Sequence, residues 1–148
     1  MTLHWLAAGR NNIVRGLFAA ALALGATAAD AADLFPFDRD LLLDAAPMRP
    51  VKRVPILNVA PDGAATIDLW CKTVRAVVQL SSDGIRIEAG PLPDALPQYV
   101  SAGQCTPERM QADYEVLAML LQVTGWQRRG NTVILDGAAR LRFRLSDH

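Results

Sequence analysis

The chain has 148 residues, with 15 basic and 15 acidic side chains in formal balance. A neutral chain has no overall pull toward nucleic acid or an acidic surface, so any such attraction must come from a local patch. Its only histidines are His4 and His148, near the two ends, which removes Ser-His-Asp and Cys-His catalysis from the folded body.

The first segment reads as a cleavable export signal over residues 1–31. Arg10 and Arg15 precede any acid, and a 13-residue apolar run follows from Leu17 to Ala29. Ala26-Thr27-Ala28 and Ala29-Asp30-Ala31 then offer small-residue cleavage sites. A bilayer span needs about 20 apolar residues, so a retained transmembrane anchor is the weaker reading. The mature protein is expected to begin between Ala29 and Asp33 and to be soluble in the periplasm of a Gram-negative cell. It would carry thirteen bases against fourteen acids. That length suits one ordinary domain.

Residues 32–52 read as an N-terminal arm that packs Phe35, Phe37 and its leucines onto the body. One helical turn is expected around Leu41 to Leu43. The domain proper, 53–148, opens with strands. Val54 to Val59 ends at Pro61-Asp62-Gly63, a strong turn signal. Ala65, Ile67, Leu69 and Cys71 alternate with Thr66, Asp68, Trp70 and Lys72, as in a half-buried strand. Val74 to Leu80 and Ile85 to Glu88 give two more strands about the turn Ser81-Ser82-Asp83-Gly84. Gly90 to Pro97 is a proline-rich loop, and a short extended piece is expected around Tyr99.

The one strong helix signal follows Cys105. Thr106 is a good N-cap, Pro107 suits the first helical position, and Glu108 complements the helix dipole. Met110, Tyr114, Leu117 and Leu121 would form its apolar face. Three closing strands are expected, at Trp126 to Arg128, Val133 to Leu135 and Arg140 to Leu145, with Leu141, Phe143 and Leu145 facing inward. The fold class is α+β: an antiparallel meander or partly closed barrel with one main helix.

Both cysteines, Cys71 and Cys105, lie in the mature part. In an oxidising compartment two cysteines most often pair. The bridge would close a loop of 34 residues, worth roughly 3–4 kcal/mol in loop entropy. Two buried free thiols or an intermolecular bridge are the alternatives. Two thiols with almost no histidine make a metal site improbable, and no cofactor is expected.

Three features occur together. The first is Asp62-Gly63 leading through a strand to Trp70-Cys71-Lys72. The second is Cys105 opening a helix with Met110, Asp113 and Leu117. The third is the closing stretch Trp126 to Leu135, with Gly130-Asn131 inside it, followed by Leu141-Arg142-Phe143. In this order they resemble the META domain, the HslJ-like family of bacterial exported proteins, over about residues 60–145. The chain departs from the pattern at Lys72, where members often have Asn, and at Ser101 to Gln104, where they often have Thr and Met. The resemblance implies a small β-rich domain with a helix, linked to envelope stress and drug tolerance. It implies no catalytic residues.

The remaining candidate chemistry is a set of five arginines, Arg128, Arg129, Arg140, Arg142 and Arg144, with Asp136 the one acid among them. They read either as a solvated strand face that deters edge pairing or as an anion-binding stripe. Asp33, Asp38, Asp40 and Asp44 of the arm could instead lie across them. Trp70 and Trp126 read as core rather than as a binding surface. The expected function is non-enzymatic support of the envelope, through an unknown envelope component, an anionic one if the arginines take part. Rival readings are a barrel holding an apolar or anionic ligand and an inhibitor that docks through the Gly90–Pro97 loop.

Overall fold

Strict alternation along Thr73–Leu80, with Val74, Ala76 and Val78 buried and Thr73, Arg75, Val77 and Gln79 exposed, marks a strand with one face on a core. The same pattern recurs along 56–59, 64–68, 85–89 and 140–145 in a computed structural model, which describes residues 34–49 and 53–147. The expected export signal and its cleavage region lie outside those residues.

The strands are β1 (Leu41–Leu43), β2 (Ile56–Val59), β3 (Ala64–Asp68), β4 (Thr73–Leu80) and β5 (Ile85–Ala89). A short helix α1 (Pro97–Ser101) and the main helix α2 (Pro107–Leu120) follow. The chain closes with β6 (Val123–Arg129), β7 (Thr132–Gly137) and β8 (Arg140–Leu145). All eight strands form one antiparallel sheet in the order β5-β4-β3-β2-β1-β8-β7-β6. The sheet curls until its two outer strands meet at an isolated bridge between Gly84 and Gly125. The fold is therefore α+β, a nearly closed barrel with one main helix. Among the described residues no helix is long and apolar enough to cross a membrane.

Trp126 staples the seam. Its backbone N–H donates to Asp83 O at 2.8 Å and its indole N–H donates to Ser81 O at 3.1 Å, so both reach the β4–β5 turn. Its ring meets Phe35 edge-on at 5.2 Å, and Phe35 in turn contacts Phe37. The core reading of Trp70 and Trp126 holds, since both are buried.

Four local expectations are overturned. Leu41 to Leu43 are a strand, not a helical turn: β1 fills the gap between β2 and β8, with Leu41 opposite both Leu57 and Leu145. Isolated helical turns satisfy few backbone groups, whereas this gap offers hydrogen bonds on both sides. The arm is thus an integral part of the barrel. The strand read through Lys72 stops at Asp68, because residues 69–72 turn back into β4 and bury Leu69, Trp70 and Lys72 together. The piece around Tyr99 is helical. Finally, α2 buries Arg109, Asp113, Val116, Leu117 and Leu120, while Tyr114 and Leu121 are exposed. Its inward stripe is rotated one residue back from the expected one, toward two charged side chains.

The β2–β3 turn depends on glycine. Gly63 has φ 88°, its N–H donates to Ala60 O, and its own carbonyl accepts from Val78 N–H at 2.8 Å. A Cβ there would lie 2.6 Å from the Val78 carbonyl oxygen. Gly130 also has positive φ, 58°, but has open space where a Cβ would go. Denaturant unfolding should therefore rank the two alanine variants. G130A should lose about 1 kcal/mol for the left-handed backbone alone, and G63A should lose more, up to about 3 kcal/mol. Equal losses would mean that the turn moves freely away from Val78.

Candidate functional site

The residues that α2 buries converge on the turn at 69–72. Thr106 caps the helix by accepting from Arg109 N–H at 3.3 Å, and that start places Arg109 and Asp113 one turn apart on the inner face. Arg109 is 1% exposed and Asp113 0%. The Asp113 carboxylate accepts from Trp70 N–H at 2.9 Å and from Cys71 N–H at 3.0 Å. Arg109 donates from one terminal nitrogen to Trp70 O at 3.1 Å and from the other to Gln104 O. Leu69 N–H closes the turn on Lys72 O at 2.8 Å, and the Trp70 indole donates to Arg53 O at 3.1 Å. The helix therefore holds the turn from both sides, its acid on two amides and its base on a carbonyl.

Burial and pairing set the charges. Loss of water raises the Asp113 carboxyl above its ordinary value, against the pull of the Cys71 and Trp70 amides and the nearby Lys72 and Arg109. Lys72 is itself buried, with its ammonium 4.9 Å from the centre of the Tyr114 ring. Tyr114, otherwise exposed on the outer side of the helix, thus makes its contact with the turn through Lys72. On the surface, Arg140 pairs with Asp136 at 2.7 Å and holds that carboxyl below its ordinary value.

The two cysteines meet at the edge of this arrangement. Cys105 is buried and its Sγ points to Cys71 O at 3.8 Å. Cys71 is half-buried rather than turned into the body, and both cysteines are thiols in this structure. Desolvation, followed by a hydrogen bond with Cys105, pushes the Cys71 thiol up to about 12, so it stays protonated at neutral pH. Both cysteines line an open cleft of about 290 Å3 with Trp70, Tyr99, Arg53 and Arg109. Among the described residues no three His, Cys, Asp or Glu side chains are grouped so as to hold a metal ion.

All five arginines are exposed, but Arg128 and Arg129 are consecutive on β6 and point to opposite faces, with Arg129 in the phase of Arg140, Arg142 and Arg144 and Arg128 in that of Val133 and Phe143. They are not equivalent. Arg128 donates to the Gly130 and Leu34 carbonyls, Arg129 to Gln127, and Arg140 to Asp136. Of the acids in the arm, Asp40 accepts from Asn58, Asp44 extends the β1–β8 ladder by donating its N–H to Arg142 O, and Asp33 lies outside the described residues. Arg109 and Asp113 were absent from the sequence-based candidates. Their signal was the spacing 109, 113, 116, 117, 120, a full helical stripe that contains one acid and one base.

No family model, no curated protein and no solved structure matches this chain.

Removing the Asp113 carboxylate should orphan two buried amides. D113A is expected to lower unfolding stability by about 2–4 kcal/mol, and D113N, whose amide oxygen can still accept, by less. The pH dependence has a definite sign. A carboxyl raised by folding adds stability that is present below its unfolded value and lost as the pH rises through its folded value. Wild type should therefore gain on D113N as the pH falls through the carboxylate range toward 3.8, the ordinary value. A wild type that loses ground to D113N on acidification would reverse the assigned burial effect.

Proposed function

We propose that this chain is an exported, non-enzymatic domain of the bacterial envelope, of the META/HslJ-like kind, and that it works by binding through its outer surface. The observation that carries this reading is the division between inside and outside. The barrel interior is taken up by its own side chains, Leu41, Leu57, Ile67, Val133, Leu135 and Phe143 among them. An apolar guest would have to displace them, so recognition is left to the surface and its exposed arginines. Two of the three segments that resemble the family meet directly, since Trp70 and Cys71 sit on Asp113 and Cys105 abuts Cys71, and the third lines a surface cleft with them through Leu141, Arg142, Trp70 and Ala112. The leader-like residues 1–31 supply the export half of the reading.

The test is a chromosomal deletion complemented by the full chain or by a version lacking residues 1–31. The deletion should sensitise cells to envelope-directed detergents and antibiotics. The full chain should restore tolerance and be released by osmotic shock, and the leaderless version should do neither. Full rescue by the leaderless version would sink the proposal.

Export also gives the adjacent thiols an oxidising setting, in which they are proposed to close as an internal disulfide between Cys71 and Cys105. Protein isolated without reductant should then show no free thiol. C71S and C105S should each lose roughly 2–4 kcal/mol, and reductant should impose a similar loss on wild type and none on either variant. Two free thiols in the freshly isolated protein would end that pairing.

A further inference from the structure

Arg142 and Arg144 stand apart from the other three arginines near β6 to β8, although Arg75 on β4 is likewise exposed and, among the described residues, without an acceptor. Arg128, Arg129 and Arg140 each have a protein acceptor, whereas among the described residues the Arg142 and Arg144 guanidiniums are engaged by none. Both line a cleft of about 450 Å3 where β8 meets β1. The register fixes its surroundings. Arg144 lies opposite Thr132 on β7 and Leu42 on β1, and Asp44 continues β1 beside Arg142. Asp44 and Val54 complete the cleft wall used below. Two residues apart on one strand face, the arginines start about 7 Å from each other, close enough for their long side chains to converge.

Four features narrow what such a cleft takes. Guanidinium forks bind oxyanions in pairs of hydrogen bonds, so the ligand is an oxyanion. Two cations and the Asp44 carboxylate leave one net positive charge, which a monoanion balances and a dianion overfills. Two forks and the Thr132 hydroxyl need more than the single oxygen edge of a carboxylate, and a tetrahedral phosphodiester has several such edges. Leu42 and Val54 add an apolar wall beside the charge. We infer that the Arg142–Arg144 cleft binds a phosphodiester monoanion carrying an apolar group, the chemistry of a phospholipid headgroup. This deepens the envelope reading, and it rests on that reading only for where the protein would meet such a lipid.

The test is a titration of the isotopically labelled protein, followed by backbone and arginine side-chain NMR. Dihexanoyl phosphatidylglycerol below its micelle concentration is compared with dimethyl phosphate and with hexanoate. The lipid should give saturable shifts at Arg142, Arg144 and Thr132. R142Q/R144Q should weaken it by roughly tenfold or more, R142K/R144K should lie between, and D44N should tighten it severalfold. All three substituted positions face outward, so signals from the core should not move in any variant, and that spectrum serves as the folding control. Dimethyl phosphate should bind at the same place about tenfold more weakly. If it matches the lipid, the apolar half of the proposal is overturned and the site belongs to a free phosphodiester. Hexanoate binding as tightly as the lipid overturns the phosphodiester. No saturable shift, or unchanged affinity in R142Q/R144Q, overturns the site itself. A silent titration leaves a deletion phenotype standing, and a deletion without phenotype leaves a positive titration standing.

Discussion

Where two neighbouring strands reverse at the end of a barrel, several backbone groups point away from any strand that could pair with them. When that reversal is also buried, each such group must find a partner or cost about 1–3 kcal/mol. Here the reversal between β3 and β4 carries Trp70 inward, so its amide, the Cys71 amide and the Trp70 carbonyl are withdrawn from water together. Asp113 and Arg109 answer those groups with complementary chemistry, the acid taking the two donors and the base the acceptor. Because both side chains come from α2, the contact that satisfies the turn also fixes how the helix sits on the sheet. Removing it would leave polar groups unpaired on both elements.

The same contact brings the cysteines together. Cys71 follows Trp70 in the held turn, and Cys105 precedes the Thr106 cap that starts the helix, so docking the helix on the turn carries one thiol to the other. A bridge between them would secure a geometry that Arg109 and Asp113 already impose. At the opposite extreme of the sheet order, Trp126 and Phe35 perform a comparable task where β5 approaches β6. Partial closure leaves little free strand edge, which is where antiparallel sheets are most exposed to pairing with other chains.

The strands that alternate were legible because a period of two is unambiguous when one face is apolar. In β8, Leu141, Phe143 and Leu145 face inward and the three arginines face out, as their order requires. The cap residues of α2 were legible for the same reason, each having a local chemical signature. Leu41 to Leu43 were not. Three successive leucines have no period, and their state is decided by the unfilled place between β2 and β8, which the local sequence does not encode. The turn at 69–72 was obscured because Trp70 and Lys72 fit the outward phase of a strand, although one is held by Asp113 and Arg109 and the other lies over Tyr114. The helix face was misplaced by the usual rule that charge points outward. Apolar residues at 110, 114, 117 and 121 outscore a stripe containing Arg109 and Asp113 until the groups those two satisfy are known.

Seen from the whole molecule, the charged residues divide by what their partners are. Arg109 and Asp113 are directed at backbone groups of this chain, Asp113 through both Trp70 and Cys71 amides and Arg109 through its two terminal nitrogens, with the buried Arg109 Nε left without a partner. Asp136 and Arg140 neutralise each other on the surface, and Arg128 and Arg129 are turned onto nearby oxygens. What remains on β8 is a pair of guanidiniums at a cleft whose single carboxylate cannot balance both. A strand in the middle of a nearly closed barrel has no edge for those arginines to guard, because its backbone is already paired with β1 and β7. Deterring edge-to-edge association therefore cannot account for Arg142 and Arg144. Their positive charge is instead directed outward from a strand whose backbone is hydrogen-bonded on both sides, which limits the rearrangement that recognising an anion would require.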